Sequence, residues 1–406
     1  MTEKPTLEQL LAMQPRTYTR RDMLRHLTVG AGALTLAACG IQGSETPSPG
    51  DEEETDELTT TSKNGELNFA NWPAYIDKLK GESPTLADFE AATGIKVNYK
   101  EVINDNVEFF ATIRQPLAEG QAIDWDLVVL TDWVISKMVR LGYLETLDHS
   151  LLSNFAANTG TIYKDPSYDP KNAHSVPWQS GITGIAYNTE LTGRDTTSLM
   201  DLFDPAFKGK VGMLTEMRDT MNFALLALGI DPVTATTEDA REAQKMLLEQ
   251  RDQGIVRKYY GNDYLQPLAS GDLALCMAWS GDVLGKTLSG DSKLKFVVPD
   301  EGGNLFVDCM AIPQNAANPI DAHEMMDFVY QPEIAAQMTA WINYISPVPA
   351  AKPILEKAKD SYSRQVAASP LVFPTPDMEA RLNGYKDLDE DEEAEWQGLF
   401  DEVTQA

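Results

Sequence analysis

The chain has 406 residues, with 62 Asp and Glu against 33 Lys and Arg, and a formal net charge of −29. That acid excess argues against nucleic acid as a partner and against adhesion to an anionic lipid surface. The length beyond residue 64 is enough for two domains with their own cores.

In chain order, residues 1–38 form a leader. Arg20 and Arg21 precede a short apolar run from Leu27 to Ala38, about a dozen residues, where a membrane-spanning helix needs ~20. A twin-arginine pair before a weak apolar stretch resembles the export signal of proteins that cross a membrane already folded. The run ends in Leu36-Ala37-Ala38-Cys39-Gly40, which resembles a bacterial lipobox, cut before Cys39 with diacylglycerol on its thiol. Each buried lipid CH₂ contributes about 0.8 kcal/mol to such an anchor. The alternative is an N-terminal helix holding one core cysteine; the order of arginines, apolar run and Cys39 favours the anchor. Residues 39–64 read as the lipidated Cys and a disordered acidic linker, with Asp51 to Glu54 among Ser, Thr, Pro and Gly and little apolar surface to bury.

The body alternates short apolar strands with amphipathic helices, an α/β pattern. Strands are expected at Leu67 to Ala70, Ile95 to Tyr99 and Leu127 to Leu130, with helices at Pro84 to Thr93, Val107 to Ala118 and Asp132 to Leu141. This β-α-β-α-β succession favours a parallel sheet. After Ile185 the pattern restarts. Strands are expected at Gly212 to Leu214, Leu273 to Ala278 and Phe296 to Pro299, and helices at Asp219 to Leu228, Thr237 to Gln250, Pro319 to Tyr330 and Pro332 to Trp341. The acidic run from Asp387 to Glu395 is a solvated face or a helix start. Cys276 and Cys309 lie in apolar, strand-like runs; two buried thiols are favoured over a bridge, although an exported protein meets oxidising surroundings.

Catalytic signatures are missing. There is no Gly-x-Ser-x-Gly elbow, no His-Glu-x-x-His and no Cys-x-x-Cys, and the four His have no metal-ligand spacing, so neither an enzyme nor a metal or other cofactor is expected. His149, His174 and His323 are read as surface or capping residues. Ser280 to Thr287 ends in Gly-Lys-Thr but has Ser280 where a phosphate-cradling loop needs Gly, so a strand-to-helix turn is expected there. Tyr259-Tyr260 lacks a nearby acid-and-His set and reads as packing.

Several segments resemble the spermidine/putrescine-binding proteins of ABC importers. These are Asn68 to Asp77, Phe89-Glu90 with Thr93 to Val97, Trp125 to Val129, Pro177 to Asn188, Glu301-Gly302-Gly303 and Asp308 to Pro313, in unbroken order between Leu67 and Gly384. The resemblance implies a two-lobed, type II periplasmic-binding-protein-like α/β fold with ligand in the interlobe cleft. Lobe 1 would be residues 65–183 and 308–350; lobe 2 would be 184–307 and 351–406. It implies ABC permease subunits as partners, a monomer, no enzymatic activity, and a cell-membrane location on the extracytoplasmic face through the anchor at Cys39.

The resemblance also implies the site. Trp72 and Tyr75 match the loop that walls the ligand, and Thr131, Asp132 and Trp133 match the loop after the third strand. Glu216 and Asp219 match a carboxylate pair with the two identities exchanged. Trp279, Phe306, Asp308 and Tyr344 complete the set, Asp308 matching the acid for a secondary or central amine. Phe306 stands where the family has Trp, Asp132 where it often has a hydroxyl, and Asp387 aligns loosely with a polar residue near the C-terminus. The chemistry fits: a polyamine needs aromatic walls, each stabilising a desolvated cation by up to ~2 kcal/mol, and a carboxylate for every ammonium. Taken singly, each aromatic is a core residue and each first-turn acid a dipole cap; their joint order points to a site. The rival readings are the same fold holding a sugar, another cation or an amino-acid derivative, a non-transporting sensor, and an exported hydrolase using a carboxylate pair.

Overall fold

The structure, a computed structural model, describes residues 63–79 and 81–405. The twin arginines, Cys39 and the linker up to residue 62 lie outside the described residues.

The chain opens with β1 (Glu66–Asn71), α1 (Pro84–Thr93), β2 (Lys96–Glu101), α2 (Asn106–Ala118), β3 (Leu127–Thr131) and α3 (Asp132–Arg140). Local chemistry explains the boundaries. The Ser83 hydroxyl accepts from Leu86 N–H at the start of α1, Pro84 holds its first turn, and Gly94 ends it at φ 79°, a left-handed conformation in which a side chain would be strained. Asp132 in the first turn of α3, with Lys137 and Arg140 in its last, complements the helix dipole.

A long strand follows, β4 (Ser175–Asn188), and then β5 (Val211–Leu214), α4 (Met217–Ala227), α5 (Thr237–Asp252), β6 (Val256–Tyr260), β7 (Leu275–Trp279), α6 (Ser280–Leu288) and β8 (Leu294–Val297). The chain closes with β9 (Gly303–Ala311), α7 (Pro319–Phe328), α8 (Pro332–Ile342), α9 (Ala351–Glu356), α10 (Ser361–Ala368) and α11 (Glu390–Thr404). The acidic run is thus a helix start, where Asp389 and Glu392 form a capping box. The expected elements recur with ends shifted by a residue or two. β6 is an addition, since Val256 to Tyr260 shows only half-buried and exposed side chains until Tyr260.

The strands run in the order β2-β1-β3-β9-β4-β7-β5-β6, with β8 also on β4. β1 pairs in parallel with β2 and β3, and β5 in parallel with β6 and β7. Between these parallel groups, β9 and β4 are antiparallel. β4 is buried along its whole length; residues up to Thr183 face β9, and those from Thr183 to Tyr187 face β7. Likewise β9 pairs with β3 only from Asp308 onward. A bulge at Trp178, next to Pro177, which has no N–H to give a ladder, brings Gln179 opposite Asp308. α9 and α10 pack on α8, and α11 packs on α4 and α5.

Cys276 and Cys309 are buried free thiols. His323 corrects the surface reading: it is buried, accepts the Asp148 N–H at 3.0 Å and lies 2.7 Å from the Pro319 carbonyl through Nδ1. Among the described residues no helix is long and apolar enough to cross a membrane.

Candidate binding site

The C-terminal ends of β1, β3 and β7, the middle of β9 and the N-terminus of α4 converge on a cleft of about 420 Å³. Each wall is set by local structure. After β1 the chain turns through Pro73 and Ala74, the latter at φ 59° with its N–H donating to Glu101. That turn presents Trp72, whose indole N–H donates to the Val129 carbonyl at 3.0 Å, and Tyr75. On β9, Phe306 and Asp308 share one face because side chains two apart on a strand point the same way. Asn343 ends α8 at φ 66° and delivers Tyr344, whose ring meets Tyr75 edge-on at 5.5 Å and Phe306 at 6.0 Å.

Three carboxylates are buried here. Asp308 accepts the Tyr75 hydroxyl at 2.6 Å and the Thr131 hydroxyl at 2.8 Å; burial pushes its pKa up to about 6. Asp219 accepts from Thr183, Asn304 and Tyr385, each at 2.8 Å, and from the Trp279 indole at 3.3 Å. Burial still raises its pKa. Glu216 occupies the N-cap position of α4 yet makes no side-chain capping bond. It accepts instead from the Asn106 backbone and side-chain amides, and burial, then the Asp105 charge, raises its pKa well above the usual range. Desolvation of three acids with hydroxyl and amide donors leaves an electrostatic demand for cations.

Arg218 and Lys286 both line the cleft; Lys286 is exposed, whereas Arg218, between Glu216 and Asp219 in sequence, is buried, and burial lowers its pKa to about 10. Its guanidinium lies 5.1 Å from the Trp133 ring centroid, donates to the Lys386 carbonyl at 2.8 Å and stands 3.9 Å from Glu393.

Of the residues expected from sequence, Trp72, Tyr75, Thr131, Trp133, Glu216, Asp219, Trp279, Phe306, Asp308 and Tyr344 line this cleft, and Asp132 does not. The Asp132 carboxylate folds back to the Trp133 N–H at 2.7 Å, and burial pushes its pKa up to about 8. Asp387 also lies elsewhere, exposed and paired with Arg140 at 2.8 Å; Tyr385, two residues earlier, reaches Asp219. Sequence reasoning passed over Asn106, Arg218, Asp282 and Tyr385, which also line the cleft. The signals were faint: Arg218 lies inside the acid pair, and Asp282 within the stretch read only as a strand-to-helix turn.

Comparison with known proteins agrees with this geometry. The family model for bacterial extracellular solute-binding proteins matches residues 85–373. Spermidine/putrescine-binding periplasmic protein 1 of Haemophilus influenzae is 29% identical over 355 residues, covering 87% of this chain and 90% of its own. The spermidine/putrescine-binding periplasmic protein of Salmonella typhimurium is 30% identical, over 82% of this chain and 86% of its own. The spermidine/putrescine ABC transporter substrate-binding protein PotD of Streptococcus pneumoniae shares the fold, with a TM-score of 0.68 over 84% of this chain and 98% of its own, at 24% identity. With residues 85–373 matched by the model of that family, this chain belongs to the bacterial extracellular solute-binding proteins, which are not enzymes.

Proposed function

We propose that this protein is the lipid-anchored, extracytoplasmic substrate-binding component of an ABC importer, and that its ligand is a polyamine such as putrescine or spermidine. One observation carries the reading: Glu216, Asp219 and Asp308 are buried around one aromatic-walled cleft, with raised pKa values that ammonium groups would reverse. Trp72, Tyr75, Trp133, Trp279, Phe306 and Tyr344 would supply apolar faces for the methylene chain and cation–π stabilisation. The names of the similar proteins from Haemophilus influenzae and Salmonella typhimurium point the same way.

Residues 65–183 with 308–350 form lobe 1, and 184–307 with 351–406 form lobe 2, joined where β4 and β9 change partners. Ligand would favour the closed arrangement of the lobes, and the closed monomer would dock on the permease subunits. The leader and Cys39 support an anchor on the outer face of the cell membrane. Replacing Cys39 by Ser should move the protein from the membrane fraction to the soluble one.

Titration calorimetry with putrescine, spermidine and spermine, with glucose and glycine betaine as controls, tests the ligand. Micromolar or tighter binding of an amine, lost in Asp308→Asn, is expected; silence with every amine would end the polyamine reading. Arg218 favours a second reading, an amine that also carries a carboxylate, because its guanidinium lines the cleft and its Nε has no partner among the described residues. A γ-amino acid in the same titration series distinguishes the two.

A further inference from the structure

The start of α2 is tied to the start of α4 beside the cleft. Asp105 divides its two oxygens between the helices. Its Oδ1 accepts the Val107 and Glu108 N–H groups at 2.8 and 3.0 Å and caps α2, while Oδ2 accepts the Thr215 hydroxyl at 2.9 Å. The next residue adds a second tie: the Asn106 backbone N–H and side-chain amide both donate to Glu216 Oε1, at 3.0 and 3.2 Å. One residue earlier, Asn104 lies against Gly261, directly after β6, where a Cβ would stand 2.9 Å from the Asn104 side-chain nitrogen.

Asn106 also reaches the other acid. Its amide nitrogen donates to the Thr131 hydroxyl oxygen at 2.8 Å, and its Oδ1 accepts the Thr131 N–H at 3.3 Å. An amide hydrogen arriving at the Thr131 oxygen turns the hydroxyl proton away from Asn106 and towards Asp308, 2.8 Å distant. One side chain therefore gives Glu216 a donor and orients a donor to Asp308. The amide is fixed in this sense, because a flip would set its oxygen against the Glu216 carboxylate. In the division proposed above, Asp105, Asn106 and Thr131 belong to lobe 1, and Thr215 and Glu216 to lobe 2. Bonds of this kind weaken steeply with misalignment, so they exist only while the lobes are together. Asn106 and Glu216 line the cleft; Asp105 and Thr215 lie outside its lining.

We infer that Thr215 on Asp105 and Asn106 on Glu216 form an interlobe clasp that sets how long a ligand stays bound, with Thr215 and Asn106 as its positioning residues. The inference rests on the two-lobed polyamine reading above. Ligand enters before the clasp forms and leaves after it opens, so weakening the clasp acts on dissociation and leaves association nearly unchanged. Thr215 touches no part of the cleft lining, which separates the clasp from direct contact with ligand.

Full-length protein, Thr215→Val, Thr215→Ser and Asn106→Ala are mixed with putrescine and spermidine in stopped flow, read by tryptophan fluorescence, and their ligand-free thermal midpoints recorded. Valine keeps the shape of Thr215 and removes the hydroxyl, while serine keeps the hydroxyl; the Asp105 cap on α2 is intact in both. The expected result is dissociation about tenfold faster in Thr215→Val and Asn106→Ala, the worth of a lost hydrogen bond to a charged group. Association should change by less than about threefold, and Thr215→Ser should dissociate within about threefold of wild type. Unchanged dissociation in Thr215→Val, or a lower thermal midpoint as its only effect, would give Thr215 a purely structural role and overturn the clasp while leaving the polyamine reading in place. Should Thr215→Val fail to fold, unchanged dissociation in Asn106→Ala would overturn the clasp equally. Wild-type silence with both amines would remove the polyamine reading and this inference with it.

Discussion

The Tyr75 hydroxyl donates to Asp308 at 2.6 Å, joining the loop after β1 to the middle of β9 across 233 positions of chain. The bond satisfies one oxygen of a buried carboxylate that lines the cleft; Thr131 satisfies the other. Neither donor carries charge, so Asp308 remains a desolvated acid whose pKa is raised to about 6.

Binding should therefore depend on pH. Asp308 titrates near 6 in the folded protein, against about 3.9 in an unfolded chain. Between those values the folded state holds the extra proton, so stability of the ligand-free protein falls as pH rises through that window. An ammonium ligand reverses the balance because it favours the ionised acid. Amine affinity should rise from about pH 5 to about pH 7, with protons released on binding near the lower end. Calorimetry in buffers of different ionisation enthalpy measures both; a flat affinity would contradict the role of Asp308.

Trp279 serves as wall and as donor, its indole N–H lying 3.3 Å from Asp219. Trp279→Ala should weaken amine binding at least about tenfold, the worth of losing an aromatic face to a desolvated cation. Trp279→Phe keeps a ring and loses the N–H, so its affinity should fall between the two. Equal affinities for the Phe and Ala variants would assign the whole effect to the donor.

Gly181 has no room for a side chain, since a Cβ there would stand 2.2 Å from the Phe306 ring. Gly181→Ala should destabilise the protein by about 1–3 kcal/mol through overpacking and weaken ligand binding as Phe306 and Tyr344 move. Gly398→Ala is the control. Its Cβ meets nothing within 4 Å, on the exposed side of α11, and Ala in a helix should gain about 0.5–1 kcal/mol over Gly. Urea unfolding of the two variants should shift in opposite directions.

Glu393 joins α11 to α3, with the Lys137 ammonium at 2.6 Å and the buried Arg218 guanidinium at 3.9 Å. Glu393→Gln should cost about 2 kcal/mol of stability because it leaves Arg218 without its nearest counter-charge. The loss should change little with added salt, unlike that of an exposed pair. Urea midpoints at low and high salt would show it; full rescue by salt would place the pair at the surface.

Much of the fold was legible because helix ends carry local chemistry. Pro84 and Gly94 bracket α1, and β3 reads as a short apolar run. β4 was harder to delimit because it is buried on both faces along fourteen residues, and a strand without a solvent face has no alternation to read. Asp132 and Asp282 show the limit for the site. Each follows a strand and opens a helix, but Asp132 is the first helical residue of α3 and Asp282 the third of α6. Two residues turn a side chain through about 200° around a helix, which puts Asp282 in the cleft and Asp132 behind it.

From sequence alone come the acidic balance, the absence of catalytic spacing, the order of strands and helices, and the aromatic loop that opens with Trp72. These depend on composition and on neighbours a few residues apart. Which carboxylates share a cleft, which aromatic ring stands between them, and which lose their water were decided only by the tertiary structure. Those properties belong to pairs such as Asp219 with Tyr385 and Asp308 with Tyr75, brought together by packing across long stretches of chain.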